Sequence, residues 1–154
     1  MDITEFLKPE RIVTGARASS KRRVLELLAE LLAKDNQGFD SCQILEGLFE
    51  RECLGGTGLG NGIALPHSRI KGGERIVGAF LQLAQGISFE AIDNEKVDLF
   101  FALLVPDQAS NEYLLIISRL ARMFSDPQFR QRLRKTRDAD AIHELIITTW
   151  QGNE

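Results

Sequence analysis

His67 closes the run Gly55-Gly56-Thr57-Gly58-Leu59-Gly60-Asn61-Gly62-Ile63-Ala64-Leu65-Pro66-His67, in which five glycines fall within eight positions. Glycine loses more conformational entropy on folding than any other residue. A cluster this dense outside a linker therefore marks backbone that turns sharply or is approached closely. Histidine titrates near 6.5 when unperturbed, so near neutral pH much of it is neutral and carries a nucleophilic ring nitrogen. Such a nitrogen can accept a phosphoryl group. Positioning and electrostatic stabilisation do most of the work in these transfers. Backbone N–H groups of glycine turns, joined by an arginine, would meet the charge on the transferred oxygens.

Competing chemistries lack their residues. A Gly-x-Gly-x-x-Gly register is never completed, because its last position falls on Asn61, Ile63 or Leu65. No Lys-Ser or Lys-Thr pair follows the run, and it precedes a strand pattern where phosphate loops precede a helix. There is no Gly-x-Ser-x-Gly elbow, and His67 and His143 are 76 positions apart without supporting carboxylate or cysteine spacing, which argues against hydrolase triads and metal sites. No metal or cofactor is expected. Cys42 and Cys53 form no Cys-x-x-Cys motif and are expected to be structural thiols, because free cysteine is commonly buried. His143 lies beside the apolar stripe of the last helical pattern and reads as a surface or packing residue. Arg119, Arg122, Arg130, Arg132, Arg134, Lys135 and Arg137 interleave with Leu120, Phe124, Phe129 and Leu133, as on the solvated faces of two amphipathic helices. Docking of an acidic partner there stays open; nucleic acid is disfavoured. The residues alone also leave His67 open between a phosphoacceptor and a capping or packing histidine in a loop.

The elements that must hold His67 follow from periodicity and punctuation. Ser19-Ser20 caps a helix whose apolar face is Val24, Leu25, Leu28, Leu31 and Leu32, with an exit turn from Asn36 to Gly38. A second helix runs from Ser41 to about Glu52 on Ile44, Leu45 and Leu48, with Gly55 near its C-cap. Gly62 to Leu65, Arg75 to Leu83 and Val97 to Val105 read as strands, the last apolar nearly throughout after Asp98, as in a strand covered on both faces. Arg11 to Gly15 is a weaker strand candidate. Leu114, Ile117, Leu120 and Phe124 make one stripe of a helix after Ser110. Ser125-Asp126-Pro127 is a cap with a first-turn proline, and Asp138 or Asp140 starts a last helix on Ile142, Leu145 and Ile146, ahead of a polar tail from Gln151. Pro66 has no N–H and pushes Leu65 into extended angles, which places His67 where the strand Gly62 to Leu65 ends. Strands clustered centrally between helices predict a three-layer α/β/α sandwich around a mixed sheet.

With 154 residues, 44% of them hydrophobic and 27% charged, the chain is expected to form one domain over residues 1–154. A net charge of −3 with signs interspersed gives no overall pull toward nucleic acid or membrane. No run approaches a membrane span, and the start lacks the form of a secretory signal, so a cytoplasmic location is expected.

Arg51-Glu52, followed by the twelve positions from Gly56 to His67, resembles the signature of the fructose/mannitol-type enzyme IIA family of the bacterial phosphotransferase system. Asp93-Asn94-Glu95-Lys96-Val97-Asp98-Leu99-Phe100-Phe101-Ala102-Leu103-Leu104-Val105-Pro106 is similar to a second stretch of that family. Leu7-Lys8-Pro9-Glu10-Arg11-Ile12 resembles its nitrogen-related branch. The resemblance spans nearly the whole chain. It implies an α/β/α sandwich in which His67, through Nε2, takes phosphate from a phosphohistidine on a small HPr-like carrier charged from phosphoenolpyruvate. It places Arg51 beside that histidine and makes Thr57, Gly60 and Asn61 candidate supports, with glycine N–H groups as donors. Many members carry a second histidine a few residues after the Val-Pro that closes the long strand, where this chain has Tyr113. A tyrosine hydroxyl can hydrogen-bond a phosphate or the His67 ring but cannot become a cation. The implied role is a nitrogen-type regulator acting on unidentified target proteins through its phosphorylation state. The alternatives are a fructose- or mannitol-specific IIA that passes phosphate to a separate IIB, and a binding module that is never phosphorylated.

Overall fold

The computed structural model describes residues 2–35, 37–109 and 111–152. After two 3-10 turns, Ile3–Glu5 and Pro9–Arg11, the elements in order are β1 Ile12–Ala16, α1 Lys21–Ala33, α2 Ser41–Leu54, β2 Gly58–Gly60, β3 Ile63–Ala64, β4 His67–Ile70, β5 Val77–Ile87, β6 Val97–Pro106, α3 Glu112–Phe124, α4 Pro127–Lys135 and α5 Ala139–Gly152. The sheet order is β1-β5-β6-β3-β2, with β4 also paired to β6. β1 is parallel to β5, and β3 and β4 are parallel to β6, whereas β5 and β6 are antiparallel, as are β2 and β3. This is the expected mixed sheet.

β6 explains the layering. Leu99, Phe101, Leu103 and Val105 pack with Ile116, Leu120, Phe124, Phe129 and Trp150 under α3 to α5. Phe100, Ala102 and Leu104 pack with Leu25, Leu28, Ile44 and Leu48 under α1 and α2. Side chains of a strand alternate between faces, so an all-apolar strand needs a helical cover on each side. The result is a three-layer α/β/α sandwich.

Local signals placed the helices. Ser20 Oγ accepts from the Arg23 N–H, Asp40 and Gln43 form a capping box, and Asp126 accepts from the Gln128 N–H ahead of Pro127. These satisfy first-turn N–H groups that have no partner inside the helix. Asp138 likewise accepts from the Ala141 N–H.

Other expectations are corrected. His67 does not end a strand. Pro66 interrupts donation, but its carbonyl accepts from the Leu103 N–H at 3.0 Å, and the chain continues extended so that His67 opens β4 opposite Leu103. β5 starts at Val77 and continues to Ile87, because a shift in register after Gln82 carries the ladder past the exposed Ala84-Gln85. Leu114 is exposed, and the buried stripe of α3 is Ile116, Leu120, Met123 and Phe124. Leu45 and Leu145 are half-buried. Cys42 and Cys53 are both exposed; eleven positions apart, they share the solvent face of a helix whose other face carries Ile44 and Leu48. Asn36, within the expected exit turn, and Ser110, Asn153 and Glu154 lie outside the described residues.

The basic segment is more tied down than its periodicity suggested. Arg134 binds Asp98 at 2.9 Å and the Asn61 carbonyl at 2.9 Å, Arg119 stacks on Trp150, and Arg130 donates to the Phe124 and Ser125 carbonyls. His143 is half-buried, with Nε2 3.0 Å from the Leu7 carbonyl oxygen.

Candidate functional site

Two contacts settle the protonation of His67. Its Nδ1 lies 2.9 Å from the Leu65 carbonyl oxygen, and a carbonyl only accepts, so Nδ1 carries the proton. Nε2 therefore holds the lone pair, and it accepts the Arg51 Nε–H at 3.1 Å. Burial pushes the pKa of His67 below its ordinary 6.5. The bond to Leu65 pulls it back, the Arg51 guanidinium adds to the lowering, and Glu52 opposes it. The ring is neutral at neutral pH, and its one nucleophilic nitrogen is directed at a guanidinium.

Arg51 reaches this point because α2 lies close on β4. Gly47 sits one helical turn before Arg51 on the same face of α2. A Cβ there would stand 3.3 Å from the Ser68 Cβ and collide with its hydroxyl. Only the missing side chain lets the helix approach the strand. Arg51 is held further by its Nη1, which donates to the Gly55 carbonyl at 2.6 Å.

His67, Arg51, Gly47, Leu54, Arg69 and Tyr113 line a cleft of about 300 Å³. Leu54 is 85% exposed at its rim. A larger cleft of about 600 Å³, lined by Arg17, Ser19, Arg23 and Gln85, shares no residue with it and holds no histidine, cysteine or carboxylate.

Of the residues expected at the site, His67, Arg51 and Tyr113 come together. Tyr113 does not bond the His67 ring, whose nitrogens are both engaged. Its hydroxyl instead accepts from Arg69 Nη2 at 2.6 Å. Thr57 is buried, with its hydroxyl and N–H both turned to the Glu52 carboxylate, which also pairs with Lys21 at 2.9 Å. Gly60 and Asn61 do not line the cleft. A Cβ on Gly60 would meet Asp93 at 3.2 Å, and the Asn61 N–H donates to Asp93 at 2.9 Å.

The glycine run also shapes the backbone. The Gly55, Thr57 and Asn61 N–H groups are committed within the chain. Gly60, Asn61 and Gly62 have φ of 93°, 58° and 81°, which reverses the chain between β2 and β3. Asn-Gly is the strongest short signal for such a two-residue hairpin, and it was present in the sequence. Gly58 leaves room for Ala91, 2.9 Å from where its Cβ would stand. Glu52, Gly47 and Arg69 were not singled out for the site by sequence reasoning. A glycine inside a helix pattern, and an arginine two positions after the histidine in extended chain, were the available signals.

The model of the family described as "Phosphoenolpyruvate-dependent sugar phosphotransferase system, EIIA 2" matches residues 5–148, and the chain belongs to that family. Within it, the chain is 39% identical over 150 residues to a nitrogen regulatory protein of Pseudomonas aeruginosa, covering 97% of each. A nitrogen regulatory protein of Klebsiella oxytoca is 37% identical over 155 residues, covering 100% of this chain and 95% of the relative. The crystal structure of the nitrogen regulatory protein IIA-Ntr from Neisseria meningitidis superposes with a TM-score of 0.89 at 36% identity, covering 94% of this chain and 98% of that one. The chain is thus a phosphotransferase-system component of the nitrogen regulatory IIA type.

Proposed function

We propose that His67 accepts a phosphoryl group on Nε2 from the phosphohistidine of an HPr-like carrier, and that the phosphorylated and free forms act differently on target proteins in the cytoplasm. The observation that carries this reading is the single tautomer of His67, with its proton held by Leu65 and its lone pair beside Arg51. A neutral ring is the nucleophile such a transfer needs, and a guanidinium fork matches the geometry of phosphoryl oxygens. Arg51 moves from the lone pair to those oxygens as the N–P bond forms. Among the described residues no helix is long and apolar enough to cross a membrane.

The test is incubation with phosphoenolpyruvate, enzyme I and the carrier, read by intact mass. One acid-labile phosphate on the chain, absent from His67→Ala, is the expected result. No added phosphate would end the phosphotransfer reading. Adding a IIB domain with its sugar then separates the regulator from a sugar-specific IIA: the phosphate should stay on this chain, and efficient onward transfer would make it a sugar carrier.

A further inference from the structure

Strand alternation places a second arginine beside His67. In β4 the half-buried His67 and the exposed Arg69 flank a buried Ser68. Their side chains therefore leave the same face, from Cα atoms about 6.6 Å apart. The Arg69 guanidinium carbon lies 4.7 Å from the centre of the Tyr113 ring, and its Nη2 donates to the Tyr113 hydroxyl.

We infer that Arg69 is a second phosphoryl-binding cation of this site and that Tyr113 is the residue that positions it. The inference rests on the phosphoacceptor reading of His67. In the transfer the donor's N–P bond breaks and its electron pair returns to the donor nitrogen. The His67 Nε2 lone pair makes the new N–P bond, and the proton stays on Nδ1, donated to the Leu65 carbonyl, so the ring gains one positive charge. No proton or further reactant is needed.

The transferred phosphoryl group carries close to two negative charges near neutral pH, against one positive charge on the ring that keeps its Nδ1 proton. Arg51 supplies one positive charge, and its Nη1 is already given to Gly55. Arg69 supplies further N–H donors for the phosphoryl oxygens. Its long, flexible side chain spans the distance between neighbouring positions on one strand face. Hydrogen bonds to a charged acceptor are about twice as strong as neutral ones, so a phosphoryl group outcompetes the neutral phenol oxygen for Nη2. Before transfer, the phenol oxygen and ring keep Arg69 beside the imidazole rather than on it, which leaves Nε2 facing only Arg51. Tyrosine therefore serves where a second histidine would bring its own charge.

The experiment uses the full chain phosphorylated by phosphoenolpyruvate, enzyme I and the carrier. The half-life of the isolated phosphoprotein is measured, together with kcat and KM for the carrier. Arg69→Gln is expected to shorten the half-life and lower kcat, each about tenfold. Arg69→Lys should recover part of both, and Tyr113→Phe should lower kcat by a smaller factor. A raised KM with unchanged kcat and half-life in Arg69→Gln would make Arg69 a docking residue only and overturn the inference. So would wild-type values throughout. A wild-type chain that takes no phosphate would remove the phosphoacceptor reading as well, whereas a labelled wild type with an unaffected Arg69→Gln removes this inference alone.

Discussion

At His67, neutrality is set by where the ring sits. Burial is the largest cause of its lowered pKa, and Arg51 adds to it. Because the neutral form is the nucleophile, the acid limb of phosphoryl uptake should lie below the ordinary histidine value. In Arg51→Gln that limb should rise, because a nearby cation that disfavours the protonated ring is gone. An NMR titration of the imidazole between pH 5 and 8, made in His143→Gln so that one histidine remains, reads this directly. A midpoint at or above the ordinary value would contradict the site as described. Stability follows the same sign. The unfolded chain binds the proton more readily, so acidification costs stability from about 6.5 downward, through the lower folded value. Arg51 was legible as a partner because it lies in the signature around the glycine run. Arg69 was not, because its meaning depends on β4, which follows Pro66 in a short, polar stretch without strand periodicity.

At the scale of elements, the site is a contact between α2 and β4, and Gly47 sets its distance. Alanine in a helix interior is ordinarily better than glycine by about 1 kcal/mol. Here the added methyl would strike Ser68 and push the helix outward, with Arg51 riding on it. Gly47→Ala is therefore expected to lower stability in spite of propensity and to reduce the rate of phosphoryl uptake as the 3.1 Å contact to His67 opens. Gly47→Ala with Ser68→Ala removes the hydroxyl in the way and should restore most of both. Thermal unfolding and initial rates on the two variants decide it. A single variant as active as wild type would show that the helix need not sit so close. The helices themselves were readable, because caps such as Ser20 and the Asp126-Pro127 pair act within a few residues. The hairpin at Asn61-Gly62 is equally local, carried by the Asn-Gly pair. Gly60 and Gly62 form the reversal, and Gly58 packs closely against Ala91. Those neighbours lie some thirty positions away, and nothing in a local pattern announces them.

Across the whole molecule, the sheet separates two apolar layers, and one buried cation ties the chain's first turns to both the sheet and the first helical layer. Arg11 is 3% exposed. Its Nε donates to the Gly78 carbonyl at 2.9 Å, its Nη2 to the Phe6 carbonyl at 3.1 Å, and its Nη1 faces Asp35 at 3.5 Å. Gly78 returns an N–H to the Phe6 carbonyl, so the opening segment closes on β5 through a shared set of bonds. Arg11→Met keeps most of the volume and removes all three donors. Asp35 retains Arg75 at 2.9 Å and the Phe6 carbonyl keeps the Gly78 N–H, so the loss is mainly the buried Gly78 carbonyl left short of a donor, about 1–3 kcal/mol. For a chain of this size that corresponds to a fall in Tm of about 2–12 °C. Arg11 lines no part of the cleft, so the folded variant should take up phosphate at the wild-type rate. A large fall in Tm with unchanged uptake places Arg11 in the frame alone. Equal losses in both would mean that the frame reaches the site through β5 and β6, the pair that carries β4 and with it His67.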